Sequence, residues 1–210
     1  MSLKTSTIYR AVGRINRNLI INRFNRKRIK NDDFSIISNN CTGALITHDL
    51  GKKFLSPTVN LFMYTEDFVK FVSNLDYYLT QEIEEVKTTT FDYPIGKLCD
   101  LEIHFMHYAS IEEAIMKWND RKGRINYDNL FIMMTENDEC PDAIIREYDS
   151  LPYKNKVLLT NKKREEINST FLVKGFEDEK LIGDLSLYKN IFGQKLYDCF
   201  DYVSWLNQNK

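Results

Sequence analysis

The stretch TENDE (135–139) places Glu136 and Asp138 two positions apart, just past an apolar run. Alternate carboxylates at the end of a strand can hold Mg²⁺ or Mn²⁺, hard cations that take oxygen ligands and bridge phosphates. Sugar-nucleotide transferases use an Asp-x-Asp at such a place; here the first acid is Glu. A solvated acidic loop is the competing reading. A second polar cluster, in SIISNNCTGALITHDLG (35–51), follows another apolar run. Asn39 and Asn40 tolerate left-handed backbone and bond locally, and Gly43 permits close approach of a ligand or of neighbouring backbone. A helix beginning there would aim free N–H groups at an anion. The stretch fits neither G-x-G-x-x-G nor G-x-x-x-x-G-K-[ST]. Cys41 is a nucleophile only if a base activates it, and no Cys-His pair is visible in the sequence.

HFMHY (104–108) carries His104 and His107. On a strand, positions three apart face opposite sides, so the two cannot readily share a metal. Imidazole titrates near neutrality, which makes His104 a candidate general base; a structural histidine is the alternative. The G-x-S-x-G and H-E-x-x-H patterns are missing, which disfavours a lipase-like hydrolase or a common metalloprotease. Asn161-Lys162 is a third polar tail after an apolar run.

These residues need a scaffold that brings strand ends together. Ser35–Ser38, Asn129–Thr135 and Lys156–Thr160 are short, nearly continuous apolar runs, the pattern of strands covered on both faces. Interleaved helical patterns imply a mixed, largely parallel central sheet flanked by helices, an α/β fold. Ligands of open α/β sheets gather outside the carboxyl ends of the strands. Asn39, Asn40, Cys41, Gly43 and Asn161 are therefore expected to bind ligand, with His104, Glu136 and Asp138 as catalytic candidates. Further strand candidates are 58–63, 85–91, 101–108 and 169–174. Helices are expected from Thr65 as N-cap through Leu79, from the capping box Ser110–Glu113 to Gly123, from Pro141 onward, and over the tail GQKLYDCFDYVSWL (193–206).

The 210 residues, 43% hydrophobic and 28% charged, are those of an ordinary globule. No stretch reaches the roughly 20 apolar residues of a membrane span, and no apolar secretory core is visible near the start. Four separated cysteines suit reduced thiols and a cytoplasmic location. Net charge is −1, but residues 1–31 carry nine cations and no carboxylate. Ile8, Val12, Ile15 and Leu19 recur there at helical spacing, so 1–31 reads as a basic amphipathic arm before a single domain, 32–210. Such a helix can lie on an anionic membrane, or dock on its own domain with a solvated basic face. Nucleic acid is not expected, because no aromatic-rich RNA-binding signature accompanies the arm.

Four stretches, IISNNCTG, NLDYYL, the block from YPIGKLCDLEIHFMHY to EEAIMKWNDRKGRINYDNLFIMMT, and LPYKNKVLLT, resemble a bacterial domain-of-unknown-function family, family 1919. Its members are often labelled exopolysaccharide biosynthesis proteins. Matching positions include Asn39, Asn40, Cys41, Gly43, Tyr93, Glu102, His104, His107, Trp118, Arg121, Asn126, Asn129 and Thr135. The resemblance implies a place in cell-surface glycan pathways, and the expected function there is a transferase using a nucleotide sugar or sugar phosphate. The alternative is a non-catalytic binding or assembly protein at the inner face of the membrane.

Overall fold

A computed structural model describes residues 7–209; Lys4 of the basic arm lies outside them. The described chain starts in helix α1 (Thr7–Asn16), which passes through one π-helical turn (Arg17–Ile21) into α2 (Asn22–Arg28). Strand β1 (Ser35–Ser38) leads into α3 (Thr42–Asp49). An excursion then builds α4 (Thr65–Ser73), α5 (Leu75–Thr80) and the short strands β2 (Glu84–Val86), β3 (Ile95–Leu98) and β4 (Leu101–His104). Helix α6 (Ile111–Lys122) returns the chain to β5 (Leu130–Thr135), followed by α7 (Asp142–Ser150), β6 (Lys156–Thr160), β7 (Thr170–Leu172) and α8 (Tyr202–Leu206).

The central sheet has the order β1-β5-β6-β7, all parallel. Every residue of β1 and β5 is buried, as the continuous apolar runs require. Alternation along the strands then divides the core in two. Ile37, Ile132, Met134 and Leu158 join a layer with α4, α6, α7 and the second sheet. Ile36, Phe131, Met133 and Leu159 face α3 and α8. The second sheet is the antiparallel meander β2-β3-β4.

Several expected elements are shorter or broken. Residues 58–63 make one antiparallel bridge to the end of β4, Phe62 to His104, and no strand. The strand expected over 101–108 stops at His104, and β3, a strand without an expected counterpart in the sequence, pairs antiparallel beside it. The helix from Thr65 breaks at Asn74 (φ −140°, ψ 53°). Thr65 is not the cap. Asp138, beyond β5, accepts from the Thr65 N–H at 3.1 Å and from its hydroxyl, a favourable place for a negative charge. The tail is a 3₁₀ turn (Leu196–Cys199) and then α8, because Asp201 caps a new helix by accepting from the Ser204 N–H.

The N-terminal helix is held to the domain by its polar side. Gly13, Arg17, Asn22 and Asn25 are buried, while Ile8, Val12, Ile15 and Leu19 are exposed. Arg17 lies 2.7 Å from both Asp49 and Asp198, donates to the Gly193 carbonyl at 2.9 Å, and bonds the Tyr197 hydroxyl. In a pure α-helix Arg17 and Asn22 would point apart. The π turn absorbs one extra residue and returns both to the domain side. The helix is docked on its own domain and most of its cations stay in solvent, but the docked side is not the apolar stripe: Arg17 goes in, while Ile8, Val12, Ile15 and Leu19 stay out. The 32–210 segment carries ten more acids than bases. Asp49 and Asp198 from that segment form the seat for Arg17.

Candidate functional site

β1 and β5 are neighbours in register, with Ser38 opposite Met133, so their polar tails leave the sheet at the same edge. Asn39 does not face ligand. Its Nδ2 donates to the Thr135 carbonyl at 2.9 Å and its Oδ1 accepts from the Thr135 N–H at 2.9 Å, which ties the two strand ends together. Asn40 comes next and turns outward. Its Oδ1 accepts from the Thr42 N–H at 2.9 Å and its Nδ2 donates to Asn137 Oδ1 at 2.6 Å. The first bond caps the start of α3; the second joins the β1 tail to the β5 tail. Gly43 serves packing. A Cβ there would stand 2.6 Å from Ser38 Oγ and 2.8 Å from Ile36 Cγ2, so glycine lets α3 lie directly on β1.

Above these tails is a cleft of about 460 Å³. Asn40, Cys41 and Thr42 form one side, with Asn137 of the second tail. Asn60, Leu61 and Phe62 form another wall. Asn60 adopts the left-handed region (φ 61°), which asparagine tolerates better than most residues. Met106 and His107 come from the turn after β4, and Gly183, Asp184, Leu185 and Ser186 close the far side. An apolar floor with convergent amide, hydroxyl, imidazole and carboxylate groups is the usual composition of a small-molecule site.

The far wall is anchored by two residues expected to touch ligand. Asn161 lies outside the lining. Its Nδ2 donates to the Phe176 and Glu179 carbonyls at 3.0 and 2.6 Å and holds the approach to the wall. Glu136 contributes its carbonyl, which accepts from the Ile182 N–H at 3.2 Å. Its side chain is completely buried. It accepts from Lys162 at 2.7 Å, Arg164 at 3.0 Å and the Thr160 hydroxyl at 2.6 Å. Burial pushes this carboxyl up, and those three partners more than reverse it, leaving it below the ordinary glutamate range. Asp138 caps α4. The expected Mg²⁺ or Mn²⁺ pair is therefore corrected: each carboxylate is engaged with a different protein partner. Among the described residues no group of three or more His, Cys, Asp or Glu is placed to hold a metal.

His104 is buried and outside the cleft lining, which corrects its expected role as base for a ligand there. The rings of Phe62, Tyr64, Phe91 and Tyr93 surround it with centroids 5.2–5.9 Å away. The Tyr93 hydroxyl is 3.3 Å from Nδ1, and Glu102 Oε1 is 2.8 Å from Nε2 but outside hydrogen-bond geometry. The imidazole that does reach the cleft is His107, which is exposed. Cys41 lines the cleft with Sγ donating to the Leu61 carbonyl at 3.8 Å. Burial, with the Asp184 carboxylate nearby, pushes its thiol up to about 11, so near neutrality it is protonated and a poor nucleophile.

Asp184 and Ser186 had no sequence signal. They sit in a stretch without helical or strand periodicity, which contacts between residues far apart in the chain bring over the sheet: Asn137 Nδ2 donates to the Ile182 carbonyl at 2.8 Å, and Ile182 and Leu185 pack into the core. Asn126 and Asn129 lie at the opposite, amino edge. There the Asn126 N–H donates to Ser35 Oγ and Asn129 Nδ2 donates to Asn31 Oδ1, a structural role.

A Haemophilus influenzae protein described as uncharacterized is 46% identical over 187 residues, which is 89% of this chain and 90% of that protein. The family described as Domain of unknown function (DUF1919) matches residues 12–207, a span that takes in the docked helix from Val12 onward, both strand tails and the far wall of the cleft. By that match the chain belongs to the DUF1919 family.

Proposed function

We propose that this protein is a transferase of bacterial cell-surface polysaccharide synthesis that takes a nucleotide sugar or sugar phosphate into the cleft over β1 and β5. The observation that carries the reading is the cleft itself: it lies at the carboxyl edge of a parallel sheet and begins at the hydrogen-bonded pair Asn40–Asn137. The start of α3 presents the positive end of a helix to that space, which suits a phosphate. Asp184, Ser186 and His107 offer acceptors and donors suited to a hydroxyl-rich ligand, while Leu61, Phe62 and Leu185 supply apolar contact. His107 brings to the cleft an imidazole, the side-chain type most often used as general acid or base. The polysaccharide context comes from the family resemblance of the sequence blocks.

Two observations favour binding without chemistry. The Cys41 thiol is held protonated, and His104 is walled off by rings. A module that presents a glycan precursor to another enzyme would need no more than the lining described.

Thermal unfolding with a panel of nucleoside-diphosphate sugars and sugar phosphates tests the reading. A ligand at 100 times its Kd stabilises a fold by about 2.7 kcal/mol, and Asn40→Ala or His107→Ala should abolish that gain. If no sugar phosphate or nucleotide sugar stabilises the protein, with or without divalent cation, the proposal fails. A binding ligand that is never turned over favours the module.

A further inference from the structure

One face of the N-terminal helix remains apolar and exposed after the chain has folded. Ile8, Val12, Ile15, Leu19, Ile20 and Phe24 all lie on it, with Ile8 77% and Phe24 61% exposed. The stripe is continuous through the π turn, for the same reason that Arg17 and Asn22 share the inner face. Beside it stands a loop tip with Ile191 and Phe192, the latter 63% exposed. Asn16 Nδ2 donates to the Ile191 carbonyl at 2.8 Å, so helix and tip form one surface. Soluble domains rarely leave a contiguous apolar surface of this extent without a docking role.

The charges around the stripe identify its partner. Arg10, Arg14, Arg23 and Lys27 are exposed on the same helix, and residues 1–31 contain no carboxylate. The helix cannot leave its seat freely, because Arg17 is buried and ion-paired beneath it. No described helix is long and apolar enough to cross a membrane. An apolar stripe with cationic neighbours, fixed on a rigid base, has the geometry of a helix lying in the plane of a lipid interface. A second copy meeting this face about a two-fold axis would bring the two sets of arginines together.

We propose that α1, the π turn and the first turn of α2, with the Ile191–Phe192 tip, dock this protein on an anionic bilayer surface. The stripe and Phe192 enter the head-group boundary while Arg23 and Lys27 meet lipid phosphates. The surface is separate from the cleft, so the proposal stands or falls independently of the ligand.

Flotation of the full-length protein with phosphatidylglycerol-containing vesicles, against pure phosphatidylcholine vesicles, tests it. Wild type should float with the anionic vesicles and stay behind with the neutral ones, and rising salt should release it. Each exposed cation near an anionic surface contributes about fivefold in binding, so Arg23→Gln with Lys27→Gln should weaken it about twenty-fivefold. Ile15→Glu with Leu19→Glu should abolish flotation without lowering the melting temperature, since both side chains are exposed. Wild type that floats equally poorly with both vesicles overturns the proposal, as does retention of flotation by the Ile15→Glu, Leu19→Glu variant. Self-association broken by that variant, with no vesicle binding, assigns the face to a second copy and also overturns it.

Discussion

Asn39 and Thr135 exchange two hydrogen bonds of 2.9 Å, side-chain amide against backbone, at the point where β1 and β5 end. Both residues are buried. The pair fixes the spacing of the strand tails, and so places Asn40 within 2.6 Å of Asn137 at the mouth of the cleft. Asn39→Ala leaves the Thr135 N–H and C=O buried without these partners, at roughly 1–3 kcal/mol for each orphaned group. Asn39→Asp keeps the acceptor but sets an oxygen against the Thr135 carbonyl, and should be at least as destabilising. Urea unfolding measures both; stability equal to wild type for either would refute the account.

Gly43→Ala tests the close approach of α3 to β1. The added methyl would meet Ser38 Oγ at 2.6 Å and Ile36 Cγ2 at 2.8 Å. Overpacking of this kind costs about 1–3 kcal/mol. Removing the Ser38 hydroxymethyl in the same chain, with Ser38→Gly, should recover only part of the loss, because Ile36 remains. Melting temperatures of the single and double variants decide the matter.

Arg17→Met removes one cation from a buried site shared with Asp49 and Asp198. Asp49 is pushed up by its burial and pulled down further by Arg17, Lys195 and Tyr197, so that its carboxyl sits below the usual aspartate range. Leaving that charge buried without its guanidinium costs about 3–5 kcal/mol. The variant should also free the N-terminal helix, seen as faster amide exchange over residues 7–28 than over β5.

Glu136 makes a pH prediction. Its folded pKa is below that of the unfolded chain, so its contribution is complete above the unfolded value of about 4.3 and is lost as pH falls through the folded one. Glu136→Gln should therefore cost most near neutrality, about 3 kcal/mol. The difference from wild type should shrink in acid. A gap between the two proteins that is constant from neutral to acid pH would rule this out.

Cys41 should react slowly with iodoacetamide near neutrality, its rate rising about tenfold per pH unit toward pH 11. Exposed Cys99 is the internal reference, read by mass spectrometry of the two peptides. Fast labelling of Cys41 at neutral pH would mean that the thiol is activated, and would reopen nucleophilic chemistry at the cleft.

The parallel sheet was legible in the chain itself. Ser35–Ser38, Leu130–Thr135 and Lys156–Thr160 are short apolar runs because both of their faces are covered, and that burial is recorded in composition. The edge at which their polar tails gather followed from the parallel arrangement. The Ile8–Leu19 stripe, likewise, was periodic in the sequence. What each tail does was settled by neighbours far away in sequence. Glu136, Asn137 and Asp138 look like one acidic loop, yet they bond to Lys162 and Arg164, to Asn40 and to Thr65 respectively. Likewise, helical periodicity shows that a stripe exists but not which side meets the domain. That depended on Asp49 and Asp198 converging on Arg17 across 32 and 181 residues of chain, which makes the inner side of the helix a buried multidentate ion pair.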